Sequence, residues 1–201
     1  MTQAQLQAGF EYPVRQAQQT FRTLLTAMSE PGRVLGVQGC QNLASLDAAG
    51  FAICQTLLDS DTSVWLGDAF ANPVISDNLR FHCGTCLSSL PQQADFILST
   101  MDSLPDLMSL RCGHAEYPDQ STTLFIQVAR LEAQAHPLST VLALKGPGIE
   151  NQHILSIAPM SDVLFDYLIE RPHGFPLGLD LVLFCEGRIT AIPRTTHVEE
   201  Y

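Results

Sequence analysis

Three stretches of the 201-residue chain carry apolar side chains on both faces of an extended strand: ADFILST (Ala94 to Thr100), TTLFIQVA (Thr122 to Ala129) and LDLVLF (Leu179 to Phe184). A strand with one wet face alternates apolar and polar residues, whereas a doubly apolar strand needs cover on both sides. These runs therefore demand a sheet enclosed between two outer layers, and the intervening segments supply helices to do the covering. Val14, Ala17, Phe21, Leu24, Leu25 and Met28 fall at helical spacing, with Pro13 to open the helix and SEPG (Ser29 to Gly32) to end it. Further helices are expected from Asp47 to about Asp59, from Pro73 to Cys83, around Ser103 to Leu110, and from Ser161 to Glu170, where Ser161 serves as N-cap.

Strands are expected at Arg33 to Val37, Thr62 to Gly67, Ser139 to Lys145 and His153 to Ala158, and in a final pair around a tight Glu186-Gly187 turn. The expectation is a single α/β domain over residues 1–201, three-layered as α/β/α, with a mixed sheet.

The charge balance narrows the function. Twenty-one acidic side chains against ten basic ones leave a net charge of −11, a field that repels nucleic acid and anionic lipid. Charged residues make up only 15%, below the roughly one quarter usual in soluble domains, so part of the surface is expected to face another protein. No apolar run approaches the ~20 residues of a membrane span, and the N-terminus lacks the apolar core of a signal peptide. The chain is expected in the cytoplasm, and the six cysteines are expected as reduced thiols.

Few chemical constellations survive inspection. No G-x-S-x-G elbow, P-loop or dinucleotide glycine motif occurs, and His173 with Asp180 is one of many His–Asp combinations. Cys83 and Cys86 form a C-x2-C pair, and Cys112 with His114 would supply two more zinc-type ligands at an unusual spacing. Unliganded thiols are the simpler reading, so no metal is expected.

Nine arginines and one lysine make up the basic residues, and that lysine, Lys145, stands between an apolar run and the turn Gly146-Pro147-Gly148. A Schiff-base role would need a phosphate cup at a helix N-terminus, yet the segment after Gly148 reads as a strand. Lys145 is then the mouth of a β-turn, with Gly146 and Gly148 as candidate ligand contacts through their amides. At the other end, Arg194, Thr195 and Thr196 offer a guanidinium fork and two hydroxyls suited to an anion. Pro193 is expected to stop the strand and turn Arg194 outward. No catalytic residue is assigned.

FRTLLTAMSEPGRV (Phe21 to Val34), LKGPGI (Leu144 to Ile149), FPLGLDLVLF (Phe175 to Phe184) and IPRTT (Ile192 to Thr196) together resemble, in order, the PhnH family of bacterial phosphonate metabolism. The resemblance runs through essentially the whole chain. It implies a subunit of the carbon–phosphorus (C–P) lyase core complex, which with its partner subunits displaces the base of a purine nucleoside triphosphate with methylphosphonate. The product is α-D-ribose 1-methylphosphonate 5-triphosphate. It also implies a fold like that of pyridoxal-phosphate-dependent transferases without the cofactor, and a homodimer in isolation. Partners would be the other core subunits, with nucleoside triphosphate or phosphonate met through the complex. An alternative is a nucleotide-binding transferase active on its own, using Lys145 and Arg194.

Overall fold

A computed structural model describes residues 5–201. Four α-helices form among the described residues: α1 (Pro13–Ser29), α2 (Ala48–Leu57), α3 (Pro73–Cys83) and α4 (Asp162–Glu170). Their starts follow from local chemistry. Proline stands in the first turn of α1 and α3, where its missing N–H is no loss. Asp47, Asn72 and Ser161 accept the Ala49, Ile75 and Leu164 amides as N-caps of α2, α3 and α4.

Thirteen strands are present among the described residues. The main sheet joins β1 (Leu35–Gly36), β2 (Ser63–Leu66), β3 (Cys86–Leu87), β4 (Phe96–Thr100), β7 (Thr123–Gln127), β11 (Asp180–Cys185) and β12 (Arg188–Ile192). Its order is β1-β12-β11-β7-β4-β2-β3. The strands from β11 to β3 are mutually parallel and β12 runs against β11, so the sheet is mixed as expected. Glu186 and Gly187, both with positive φ, make the two-residue turn between β11 and β12. A second sheet, in the order β13-β9-β10-β8, contains β8 (Arg130–Glu132), β9 (Thr140–Lys145), β10 (His153–Ala158) and β13 (His197–Glu200). A hairpin of β5 (Cys112–His114) and β6 (Tyr117–Ser121) stands apart.

The central strands send alternate side chains to two cores. Leu98, Phe125, Val182 and Phe184 pack under α1, α2 and α3, while Ile97, Leu124, Leu181 and Leu183 face the second sheet and α4. Both faces are thus covered. The second cover is chiefly the antiparallel sheet, with α4 beside it, rather than the helical layer expected. β8 and β13 are too short and polar to announce themselves, and without them β9 and β10 give no sign that they belong to a separate sheet.

Two local expectations also change. The segment near Ser103–Leu110 contains single 3-10 turns at Met101–Ser103 and Leu107–Ser109, broken by Pro105, rather than an α-helix. In α1 the buried residues are Thr20, Leu24 and Ala27, whereas Val14, Phe21 and Leu25 are 88%, 43% and 52% exposed. The single apolar stripe read from the sequence is therefore two faces, and one of them looks outward. No helix among the described residues is long and apolar enough to cross a membrane.

Candidate functional site

The four family-like motifs meet at one corner of the molecule. The SEPG turn after α1 lies against the Gly-Pro-Gly turn between β9 and β10. Gly148 has φ +80, and a Cβ there would stand 1.8 Å from the Ser29 carbonyl oxygen, so only glycine fits. His153 Nδ1 lies 2.7 Å from the Pro31 carbonyl, and the Gly32 amide donates to Ala191 O at the end of β12. Across the ladder from the Gly-Pro-Gly turn runs the PRTT segment, for Lys145 pairs with His197 in the β9–β13 register. A Gly146 Cβ would lie 3.2 Å from the Thr195 carbonyl oxygen. The two candidate segments are therefore neighbours.

Strand geometry nevertheless separates their side chains. Successive residues of β13 point to opposite faces. Lys145, His197 and Glu199 share the outer face, where Lys145 Nζ donates to Glu199 Oε2 at 2.7 Å with both side chains roughly half exposed. Thr196 and Val198 point inward and are buried. Lys145 and Thr196 thus address different sides of the sheet. Thr195, between them and Arg194, is half-buried.

Arg194 turns inward, against expectation. Pro193 does end β12, but Asp180, at the start of neighbouring β11, draws the guanidinium under the sheet edge. Asp180 Oδ1 accepts from the Arg194 amide at 2.9 Å and from Nε at 3.1 Å, and Oδ2 accepts from Nη2. The same Nη2 reaches Ser121 Oγ, while Nη1 donates to the carbonyls of Pro118 at 2.6 Å and Pro176 at 3.5 Å. A guanidinium has five N–H donors, and here each has an acceptor within the chain. The side chain is a strut joining β6, β11 and the segment after β12. It has nothing left over for an external anion.

Beside this strut lies a small pocket of about 30 Å³, lined by Tyr167, Arg171, His173, Gly178, Arg194 and Thr196 among others. Tyr167 accepts from the Leu179 amide at 3.2 Å, and burial together with the adjacent Cys112 pushes its hydroxyl well above the usual phenol range. Arg171 ends α4 in the left-handed conformation, placing Nη1 3.0 Å from His197 Nε2 and Nη2 3.3 Å from Arg194 O. Thr196 and His173 line this pocket, and their Oγ1 and Nε2 are buried without a hydrogen-bond partner in the chain. Unsatisfied buried polar atoms are uncommon, and the pocket beside these two has the volume of about one water. Tyr167 and Arg171 were not singled out from sequence, and His173 with Asp180 was read only as one of many His–Asp combinations. Only the buried charge pair, visible in three dimensions, connects them.

The zinc-type ligands are not brought together. Cys83 packs in the core under the helices and Cys112 in the core facing the second sheet, on opposite faces of the main sheet. His114 stacks edge-on against Tyr117 in the exposed hairpin. Among the described residues no three His, Cys, Asp or Glu side chains are grouped as a metal site.

The model of the bacterial phosphonate metabolism protein family, PhnH, matches residues 8–199. The chain belongs to the PhnH family. It is 32% identical over 200 residues to the alpha-D-ribose 1-methylphosphonate 5-triphosphate synthase subunit PhnH of Rhizobium meliloti (strain 1021), covering 98% of both chains. It is also 32% identical over 184 residues to the putative C-P lyase subunit protein HtxG of Stutzerimonas stutzeri, covering 90% of this chain and 85% of that one. The PhnH-family match spans both cores, both sheets and the corner where the motifs converge.

Proposed function

We propose that this chain is the PhnH subunit of a C–P lyase assembly in phosphonate catabolism. It is required for making alpha-D-ribose 1-methylphosphonate 5-triphosphate from a purine nucleoside triphosphate and methylphosphonate, and contributes assembly or substrate docking rather than the chemical step. Two relatives of the same length class carry subunit names from this system, which supports the assignment. The observation that carries the role is the commitment of Arg194: all five of its donors are engaged within the chain. Lys145 is likewise engaged, with Glu199. A transferase acting alone through these two side chains would have to break both pairs to reach a triphosphate.

The pocket of Arg171, His173 and Thr196, at about 30 Å³, has room only for a group of water size, so substrate docking is assigned to surfaces shared with the other subunits. In isolation the chain is proposed to be a cytoplasmic homodimer, and its fold to be kin to the pyridoxal-phosphate-dependent transferases. The residues present do not fit that cofactor. Lys145 is partly exposed and salt-bridged, and the turn after it opens into β10 rather than a helix N-terminus that could hold a phosphate.

The test is to assay base release from ATP by the remaining core subunits with and without this chain, and ATP binding by the chain alone. Base release that depends on the chain, with no ATP binding in isolation, is the expected result. Tight binding or turnover of ATP by the isolated chain would overturn the role.

A further inference from the structure

The outward face of α1 has no cover in the fold. Val14, Phe21 and Leu25, at 88%, 43% and 52% exposure, line up along it within about 40° of one another at 100° per residue. The row is continuous at one end with a cleft of about 350 Å³ between Phe10, Pro13, Val14, Ala17 and Gln55. Beside the row, roughly a quarter-turn round the helix, stand Arg15 and Arg22, both exposed.

The charges on this helix are unusual for the chain. Between Pro13 and Ser29 there is no acidic residue, although acids outnumber bases 21 to 10 overall. Seven of the basic side chains lie within 4 Å of a carboxylate. Arg171 is held by His197 and Arg194. Arg15 and Arg22 alone have neither a carboxylate nor any other side-chain partner among the described residues. A chain with acids to spare leaves unpaired its two arginines that border an exposed apolar row.

We propose that this face of α1 is the docking surface for a different subunit, one presenting an apolar centre with a carboxylate-bearing rim; the inference rests on the subunit reading above. A second copy seated through its own α1 is disfavoured by charge. A two-fold pairing centred on the stretch of α1 between Arg15 and Arg22 would set Arg15 of one copy beside Arg22 of the other, with no acid on either helix to separate them, and like charges across an interface are repulsive. The cleft at Val14 is the place for one apolar anchor of the partner, and the arginine row fixes orientation and speeds encounter.

The test uses the full chain, its R15E/R22E variant and Phe21→Ser, each mixed with the remaining C–P lyase subunits. All three substitutions are at exposed positions, so the melting temperature of the isolated chain is expected to hold. Wild-type affinity should fall as salt rises; R15E/R22E should lose at least about tenfold and lose that salt dependence, while Phe21→Ser weakens binding and keeps it. Wild-type-like capture of both variants overturns the inference and leaves the subunit reading standing. A change in the isolated chain's mass on R15E/R22E also overturns it, by assigning the face to a second copy. Failure of the wild-type chain itself to join the other subunits brings down the subunit reading and this surface with it.

Discussion

Arg194 and Asp180 form a nearly buried ion pair, their side chains 14% and 15% exposed, in which one carboxylate takes both the backbone amide and the guanidinium of the same residue. The pair closes the corner at which β6, β11 and the PRTT segment meet. Burying one member of such a pair without the other is far costlier than losing both, because the survivor's charge stays out of water.

Arg194→Ala is therefore expected to cost about 3–5 kcal/mol, and Asp180→Ala a similar amount. The double variant should cost less than the two added together, by about 1 kcal/mol or more. Urea unfolding of the four proteins in a double-mutant cycle measures this. A cost below about 1 kcal/mol for Arg194→Ala would mean that the strut is not structural.

Lys145 behaves differently. Its partner Glu199 is 57% exposed and it is itself 43% exposed, so solvent screens the pair. Lys145→Ala should change stability by less than about 1 kcal/mol and leave base release by the assembled complex mostly intact. Loss of base release with normal assembly would restore a direct role for this side chain.

Gly148→Ala tests the contact between the two turns. A methyl group there meets the Ser29 carbonyl oxygen at 1.8 Å, in a backbone conformation that side chains rarely adopt. The expected loss is about 2 kcal/mol or more, with a melting temperature lowered by about 4 °C or more. Gly174→Ala, where nothing lies within 4 Å, is the control and should melt near the wild-type value.

The thiols predict an alkaline limit. Burial pushes Cys40 up to about 11, against a hydrogen bond from Gln55 that lowers it. Burial, with the neighbouring Cys40, pushes Cys83 up to about 12. Cys54 is raised for the same reason, while Cys86 is exposed. Alkylation followed by mass spectrometry near neutral pH should modify Cys86 first and Cys54 and Cys83 only on unfolding. Because the folded values lie above the ordinary 9.0, the folded state holds these protons more tightly. The stabilisation is complete below about pH 9 and erodes as pH rises through about 11 to 12. Acceptance of reagent by Cys83 as fast as by Cys86 would contradict the burial described.

The central strands and helix starts were legible because each reflects short-range chemistry. Ser161 was read as an N-cap and reaches the Leu164 amide three residues ahead; Asp47 and Asn72 cap the helices expected from Asp47 and Pro73 in the same way, though neither was read as a cap, and the doubly apolar strands need two covers wherever they end up. The adjacency of LKGPG and PRTT was only partly legible. Both were read as candidate ligand segments, but β13, whose HVEE carries a single apolar residue, gives no strand signal until β9 lies beside it.

By itself, the sequence determined the family, a mixed α/β sheet with two covered faces, and the caps and turns that delimit most of its elements, since these depend on neighbours within a few residues and on the period of the apolar pattern. The tertiary structure alone decided that the second cover is a sheet, that α1 turns Val14, Phe21 and Leu25 outward, and that Arg194 turns inward to Asp180. Those outcomes are settled by partners far away in the chain. A side chain faces the core or the solvent according to which distant strand or carboxylate packs beside it, and no local pattern records that choice.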